Sequence, residues 1–246
     1  MGTMSETSEA DGRHRPERTV VLFGHTSELG QALCSRLLAR GDNVVGVARS
    51  LVPRDAERLT QIQADLARAD DVLRVVEHIE RDYPAFGVLI YAAGVLAAHD
   101  MAAIDYGDLE LVYRLNTLVP MYIESRLYKH IDANAADVVN ITSSVTRGAG
   151  PKFTAYSGSK MALQRFGEDL GHNLQASKAR VIEICPSGFS SSIYPNMLGT
   201  KLTRDESIQI PASDLADLIV GILDLPKVIE LSYVFVNRKN GRPLSS

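Results

Sequence analysis

The stretch Thr19-Val20-Val21-Leu22-Phe23-Gly24-His25-Thr26-Ser27-Glu28-Leu29-Gly30 carries the first decision about the fold. Thr19–Phe23 is a run of β-branched and aromatic residues that stops at a glycine, the pattern of a strand buried on both faces. Beyond the turn, Leu29, Leu33 and Leu37 recur at helical spacing as far as Arg40, and Gly41 follows as a C-cap. A strand that passes through a glycine turn directly into a helix brings the helix N-terminus, with its N–H groups and partial positive charge, to the end of the strand. Gly24 allows the tight turn, Gly30 lets the helix pack close to the sheet, and Thr26 and Ser27 add hydroxyl donors. Such a turn suits a pyrophosphate. It also suits a capped helix that binds nothing.

Outward from this unit the same alternation continues. Strands are expected at Asn43–Ala48, Thr60–Ala64, Phe86–Tyr91, Asp137–Thr142, Arg180–Cys185 and Glu230–Asn237. Helices are expected at Arg68–Asp82, Asp105–Lys129, Thr154–Ala176 and Ser213–Leu223. Buried strands separated by helices imply parallel pairing with crossover helices on both faces. The expected fold is therefore α/β, a doubly wound, mostly parallel seven-stranded sheet in one domain over residues 19–246, with ligands at the carboxyl ends of its strands. Residues 1–18 are polar and read as a disordered tail.

Composition narrows the function classes. Of 246 residues 45% are hydrophobic, enough for a large core, and the net charge of −4 disfavours nucleic acid. No apolar stretch is long enough for a signal peptide or a bilayer span, so no membrane partner is expected. The two cysteines, Cys34 and Cys185, and the scattered histidines have no metal-ligand spacing. A reduced, cytoplasmic protein without a metal is the expectation. No Gly-x-Ser-x-Gly elbow follows a strand, which disfavours a serine hydrolase.

The chemistry-bearing residues cluster after the Asp137–Thr142 strand. Tyr156 and Lys160 are four positions apart at the start of a helix and so share one face. A phenol titrates too high to be an efficient acid or base at neutral pH, and a nearby ammonium favours its phenolate. Asn140-Ile141-Thr142-Ser143-Ser144 ends the preceding strand, and Ser143 precedes Tyr156 by 13 residues. Ser144 is the neighbouring alternative.

Taken together, these motifs resemble the short-chain dehydrogenase/reductase family across roughly Thr19 to Ser191. Gly24 and Gly30 match the outer glycines of its turn, and Glu28 stands where the middle glycine is usual. The resemblance implies a Rossmann-like fold and hydride transfer between nicotinamide and a carbonyl carbon. Tyr156 would be the general acid, Ser143 would orient the carbonyl, Lys160 would hold ribose and tune the tyrosine, and Asn116 would complete a proton relay. It further implies cofactor contacts from Gly24, Thr26, Ser27, Glu28, Leu29, Gly30, Asp65, Leu66, Ala92, Ala93 and Gly94. On the other side of the cofactor it adds Tyr156, Lys160, Pro186, Ser187, Gly188, Phe189 and Ser191. Ser187 departs from the family's glycine, as Tyr91 and Ala92 depart from its paired asparagines.

The adenosine end can be read from Ala48-Arg49-Ser50. No carboxylate stands at the strand tip to bind a ribose 2′-OH, and Arg49 offers a fork for a 2′-phosphate, with His25 a possible addition. NADP(H) is thus expected in preference to NAD(H). Ser192–Ile210 is a lid candidate, with Tyr194 and Met197 among the substrate contacts besides Ser143 and Tyr156. The partner would be a small-molecule carbonyl or alcohol in a homodimer or homotetramer, the enzyme serving as a biosynthetic ketoreductase. A non-catalytic dinucleotide-binding sensor or scaffold remains the alternative. An epimerase or dehydratase using the same tyrosine usually comes with a longer substrate domain, and the length argues against it.

Overall fold

β1 (Thr19–Phe23) lies in the middle of a parallel sheet because every side chain from Val20 to Phe23 is buried. The structure, a computed structural model, describes residues 17–53, 56–148, 150–191, 193–202 and 209–239. From β1 the chain builds outward through α1 (Glu28–Arg40), β2 (Asn43–Ala48) and β3 (Leu59–Gln63). It then crosses by α2 (Ala69–Asp82) to β4 (Val88–Tyr91) on the other side of β1. After β5 (Ala97–Ala98), α3 (Tyr106–Tyr113) and α4 (Val119–Ala133) come β6 (Asp137–Ile141), α5 (Thr154–Asn173) and β7 (Arg180–Pro186). β8 (Leu198–Gly199), α6 (Ala212–Leu223) and β9 (Tyr233–Val236) complete the described elements. The sheet has seven strands in the order β3-β2-β1-β4-β6-β7-β9, all in parallel register, and β5 pairs with β8 in a separate two-stranded patch. The reversal between β1 and β4 opens a crevice at the carboxyl ends, where ligands bind in such sheets.

Helices cover both faces, as the leucine and valine spacing predicts. Leu29, Leu33 and Leu37 of α1 meet Leu215, Ile219 and Ile222 of α6 on one face. On the other, α2, α4 and α5 bring Val76, Ile79, Ile123, Leu127 and Leu170 against Leu89 and Val138.

Several boundaries differ from the sequence expectation. β3 runs from Leu59 to Gln63, not Thr60 to Ala64, and β4 starts at Val88 because Phe86 N bonds Tyr83 O in a turn. The helix expected over Asp105–Lys129 is broken. α3 ends at Tyr113, and Arg114–Leu118 widens into a π turn in which Val119 N reaches Arg114 O. Pro120 explains the break, since it has no N–H for the carbonyls of the preceding turn. Tyr91 OH donates to Leu115 O instead, at 2.8 Å. The β5–β8 pairing was not expected, being only two residues long on each side. Arg18, assigned to the tail by the sequence, bonds Asp42 at 3.0 Å and belongs to the folded part; residues 1–16 lie outside the described ones. The lid candidate is described only at 193–202 and 209–210.

A buried ion cluster ties the amino ends of the strands together. Asp137 receives Arg180 Nε and Nη2, both at 2.8 Å, and Lys227 Nζ at 2.5 Å. Arg180 also donates to Leu225 O and Ile229 O, which fixes the chain entering β9. Breaking such a pair from one side leaves a buried charge uncompensated, at about 3–5 kcal/mol. Asp137→Asn should lower the melting temperature by roughly 10 °C, measured by circular dichroism, with the folded spectrum unchanged.

Candidate active site

The glycine turn has the geometry its residues demand. Gly24 has a φ of 84°, and a Cβ there would fall 2.8 Å from Ala93 N. At Gly30 a Cβ would meet Gly24 O at 2.1 Å, so α1 can approach the turn only with glycine at that position. Ser27 caps the helix: its Oγ accepts from Gly30 N at 3.0 Å and donates to Gly24 O at 2.8 Å. The hydroxyl expected to serve as a phosphate donor is therefore committed to the turn. The amides of Glu28 and Leu29 precede the helical hydrogen-bond ladder and are the donors that such a terminus offers an anion. Glu28 is exposed, Thr26 half-buried, and the Leu29 side chain is in the core.

Arg49 and Ser50 are exposed at the carboxyl end of β2. His25 does not join them. Its ring is buried against Gly46, where a Cβ would come within 2.6 Å of it, and Nε2 bonds Gln61 Oε1 at 3.0 Å. The Asp65 carboxylate accepts from Ala67 N at 3.1 Å, turning into its own loop beside buried Leu66.

Across the crevice Ala92, Ala93 and Gly94 leave β4 half-buried. Gly94 lies against two side chains: a Cβ would be 2.8 Å from Asn116 Oδ1 and 3.6 Å from Lys160 Nζ. Asn116, on the π turn, clamps the backbone of Val95. Its Oδ1 accepts from Val95 N and its Nδ2 donates to Val95 O, both at 2.9 Å, and Nδ2 also reaches Ser159 Oγ at 3.2 Å. Thr117 Oγ1 donates to Ser159 O at 2.8 Å, so the π turn is locked to α5. Lys160 is fully buried and donates to Ile141 O at 2.8 Å. Burial pushes its pKa down to about 8, although Glu183 and Cys185 nearby oppose the shift.

Ser143 and Tyr156 line one cleft with Pro186, Ser187, Gly188 and Phe189. Ser143 Oγ also caps the short turn that follows, accepting from Val145 N at 3.3 Å, whereas Ser144 does not line the cleft. Tyr194 of the lid candidate lines it too, together with Leu96, Val145, Phe153 and Ile193. Met197 does not. It is buried beneath the wall, packed with Leu96, Ala98, Val145 and Tyr156, because β8 draws it down onto β5. Ser191 Oγ accepts from Ile193 N at 3.2 Å and lies outside the cleft lining.

A second polar group was missed at the sequence level. Asn140 of β6, Glu183 of β7 and Glu124 of α4 are buried together, and Asn140 Nδ2 donates to Glu183 Oε1 at 3.1 Å. The available signal was a polar residue at the same register in two apolar strands, Val138–Ile141 and Val181–Ile184. Burial pushes the Glu124 carboxyl up to about 8; the Asn140 amide opposes this but closes no hydrogen bond to it. The raised value lies above the unfolded one of 4.5, so the stability that the group contributes below 4.5 is lost as pH rises from there to about 8. Glu124→Gln should raise the melting temperature by about 5 °C at the alkaline end of that window and much less at the acid end, in paired thermal melts.

This geometry has relatives. The family model for short chain dehydrogenases matches residues 18–200. A farnesol dehydrogenase of Aedes aegypti is 23% identical over 234 residues, covering 87% of this chain and 93% of that one. A tetrahydroxynaphthalene reductase of Pyricularia oryzae is 20% identical over 214 residues, covering 82% and 75%. Among solved structures, a short-chain dehydrogenase from Sphingobium yanoikuyae in complex with NADPH superposes with a TM-score of 0.78 at 23% identity, covering 89% of this chain and 87% of that one. With a doubly wound parallel sheet and a family match across most of its length, the chain belongs to the short-chain dehydrogenases, oxidoreductases that act on alcohol and ketone groups.

Proposed function

We propose that this chain is an NADP(H)-dependent reductase, working also as a dehydrogenase, that interconverts a small-molecule ketone and its secondary alcohol, in the manner of a biosynthetic ketoreductase. The observation that carries the reading is the shared cleft of Ser143 and Tyr156 at the carboxyl end of the sheet, with Lys160 buried behind them. A bound nicotinamide supplies the hydride in reduction and accepts it in oxidation. The remaining work belongs to the side chains. Ser143 Oγ donates a hydrogen bond to the carbonyl oxygen and holds it beside Tyr156. The Tyr156 hydroxyl gives its proton to that oxygen. Lys160, as an ammonium, lowers the cost of the phenolate and holds the ribose. Asn116 keeps Gly94 and Val95 against Lys160 and belongs to the path by which the proton is restored.

The residues fit a dinucleotide. Gly24, Thr26, Ser27, Glu28, Leu29 and Gly30 would cradle the pyrophosphate, with backbone amides rather than the Ser27 hydroxyl as donors. Arg49 would meet a 2′-phosphate, Asp65 and Leu66 the adenine, and Ala92, Ala93 and Gly94 the ribose. Pro186, Ser187, Gly188, Phe189 and Ser191 would flank the nicotinamide. Among the described residues, the cleft walls carry no charged side chain. They favour an uncharged ketone with an apolar or aromatic body, in keeping with relatives named for farnesol and tetrahydroxynaphthalene. Tyr194 touches such a substrate, while Met197 supports the wall from below. Exposed Leu118, where the π turn leads into α4, and Met161 of α5 support a homodimer or homotetramer built on those helices. No helix among the described residues is long and apolar enough to cross a membrane, in keeping with work in the cytoplasm.

The exposed Glu28 in the glycine turn favours a second reading, a dinucleotide-binding sensor without turnover. Nicotinamide fluorescence titration should give at least about tenfold tighter binding of NADPH than of NADH, and Arg49→Glu should abolish the difference. Tyr156→Phe should reduce the rate of ketone reduction about 10²–10⁴-fold while NADPH still binds. Binding with no turnover across a panel of apolar ketones would establish the sensor instead.

A further inference from the structure

The hydride chemistry leaves unused a group of side chains behind the cleft. Asn140 and Glu183 are partners in register on β6 and β7, on the sheet face that α4 and α5 cover. Asn140 Nδ2 donates to Glu183 Oε1, and Glu124 faces the same amide from α4. All three side chains are buried, yet both oxygens of Glu124, Oε2 of Glu183 and Oδ1 of Asn140 have no hydrogen-bond partner among the described residues. The fold makes room for this arrangement: a Cβ at Gly167 of α5 would fall 2.0 Å from Glu183 Oε1. One position beyond Asn140, Ile141 O accepts from Lys160 Nζ. On its other side Glu183 lines a cavity of about 510 Å³ between α5 and β9, walled also by Gly167, Glu168 and Tyr233. Apolar side chains at these strand positions would be easier to bury, because unpaired carboxyls in a core are costly.

We propose that Glu183, held by Asn140 and backed by Glu124, is a positioning residue that maintains Lys160 as an ammonium from the side away from the substrate. This rests on the reading of Lys160 given above. Burial moves the proton affinities of an acid and an amine in opposite directions: up for Glu183, and down to about 8 for Lys160. Burial thus drives the two affinities towards each other, and the buried carboxyl and ammonium bear on each other's titration. As the pH rises, the first proton lost leaves one proton for the pair. The ammonium–carboxylate arrangement keeps Lys160 charged at a pH where a buried lysine alone would be an amine. The titratable groups facing Glu183 are Glu124 from α4, Lys160 and Glu168 from α5, and Tyr233 from β9; Cys185, on β7 itself, faces Lys160.

The test is an NMR titration of full-length protein labelled with ¹³C at lysine Cε, the Lys160 signal being assigned with Lys160→Arg. Glu183→Gln keeps the shape and the amide contact but removes the charge, and should lower the Lys160 midpoint by about one pH unit. Glu168→Gln should leave the midpoint in place. In turnover, the alkaline limb of the rate profile should move down with Glu183→Gln, while wild type and variant agree at low pH. If Glu183→Gln does not fold, the shorter neutral Glu183→Asn makes the same comparison. An unmoved midpoint in a folded variant overturns the proposal, as does an equal shift from Glu168→Gln. The titration needs no substrate. A protein that reduces no ketone can therefore still show the coupling, and an active enzyme whose Lys160 ignores Glu183 removes this inference alone.

Discussion

A buried ammonium has to be held by something, and Lys160 is held by the carbonyl of Ile141 at the carboxyl end of β6. That bond, with the burial of Leu163 and Leu170, goes with one rotation of α5 about its axis. With Lys160 turned inward, Tyr156 one helical turn earlier faces the cleft and Gly167 two turns later faces Glu183. It also sets what may approach from the other side. Gly94 fits against the Asn116 amide beside Lys160 only because it has no side chain, and that amide holds the following residue in place. The cleft is thus built around a charge that the core would otherwise exclude.

The break between α3 and α4 belongs to the same arrangement. A regular helix over this span would have different residues facing α5. The π turn places Asn116 and Thr117 together against Ser159, and Pro120 leaves a carbonyl that Tyr91 satisfies. Irregular helical turns are frequent at functional sites because they redirect a side chain without ending the helix. Here the irregularity connects the loop after β4 to the start of α5, two segments that must meet for a dinucleotide and a substrate to share one crevice.

Burial of the polar cluster beneath this crevice has a thermodynamic side. Burial pushes the proton affinities of Glu124 and Glu183 both upward, so the core behind the cleft holds its carboxyl protons more tightly than water does. By contrast, the Asp137–Arg180–Lys227 cluster at the opposite end of the strands is paired and hydrogen-bonded. The two ends of the sheet therefore treat charge differently: one pairs it fully, and the other leaves buried carboxyls only partly hydrogen-bonded beside a lysine whose charge the proposed chemistry requires.

Much of this was written locally. Runs such as Thr19–Phe23, the leucine spacing of α1 and the Gly24–Gly30 turn identify the parallel doubly wound sheet, because strand and helix periodicities are properties of neighbouring residues. The spacing of Tyr156 and Lys160, and Ser143 at a strand end, marked the crevice for the same reason. What the tertiary structure alone decided depends on partners far apart in the chain. Gln61 and Gly46 draw His25 inward, away from Arg49. β5 captures β8, so Met197 lies beneath the wall and Tyr194 in it. The Ser27 hydroxyl turns back to its own helix. Asn140 and Glu183, single polar residues in two separate apolar strands, become a cluster only when β6 and β7 pair and α4 adds Glu124. Local pattern determines which elements form; long-range packing determines which way each polar side chain must turn to find a partner, and the site is made of those choices.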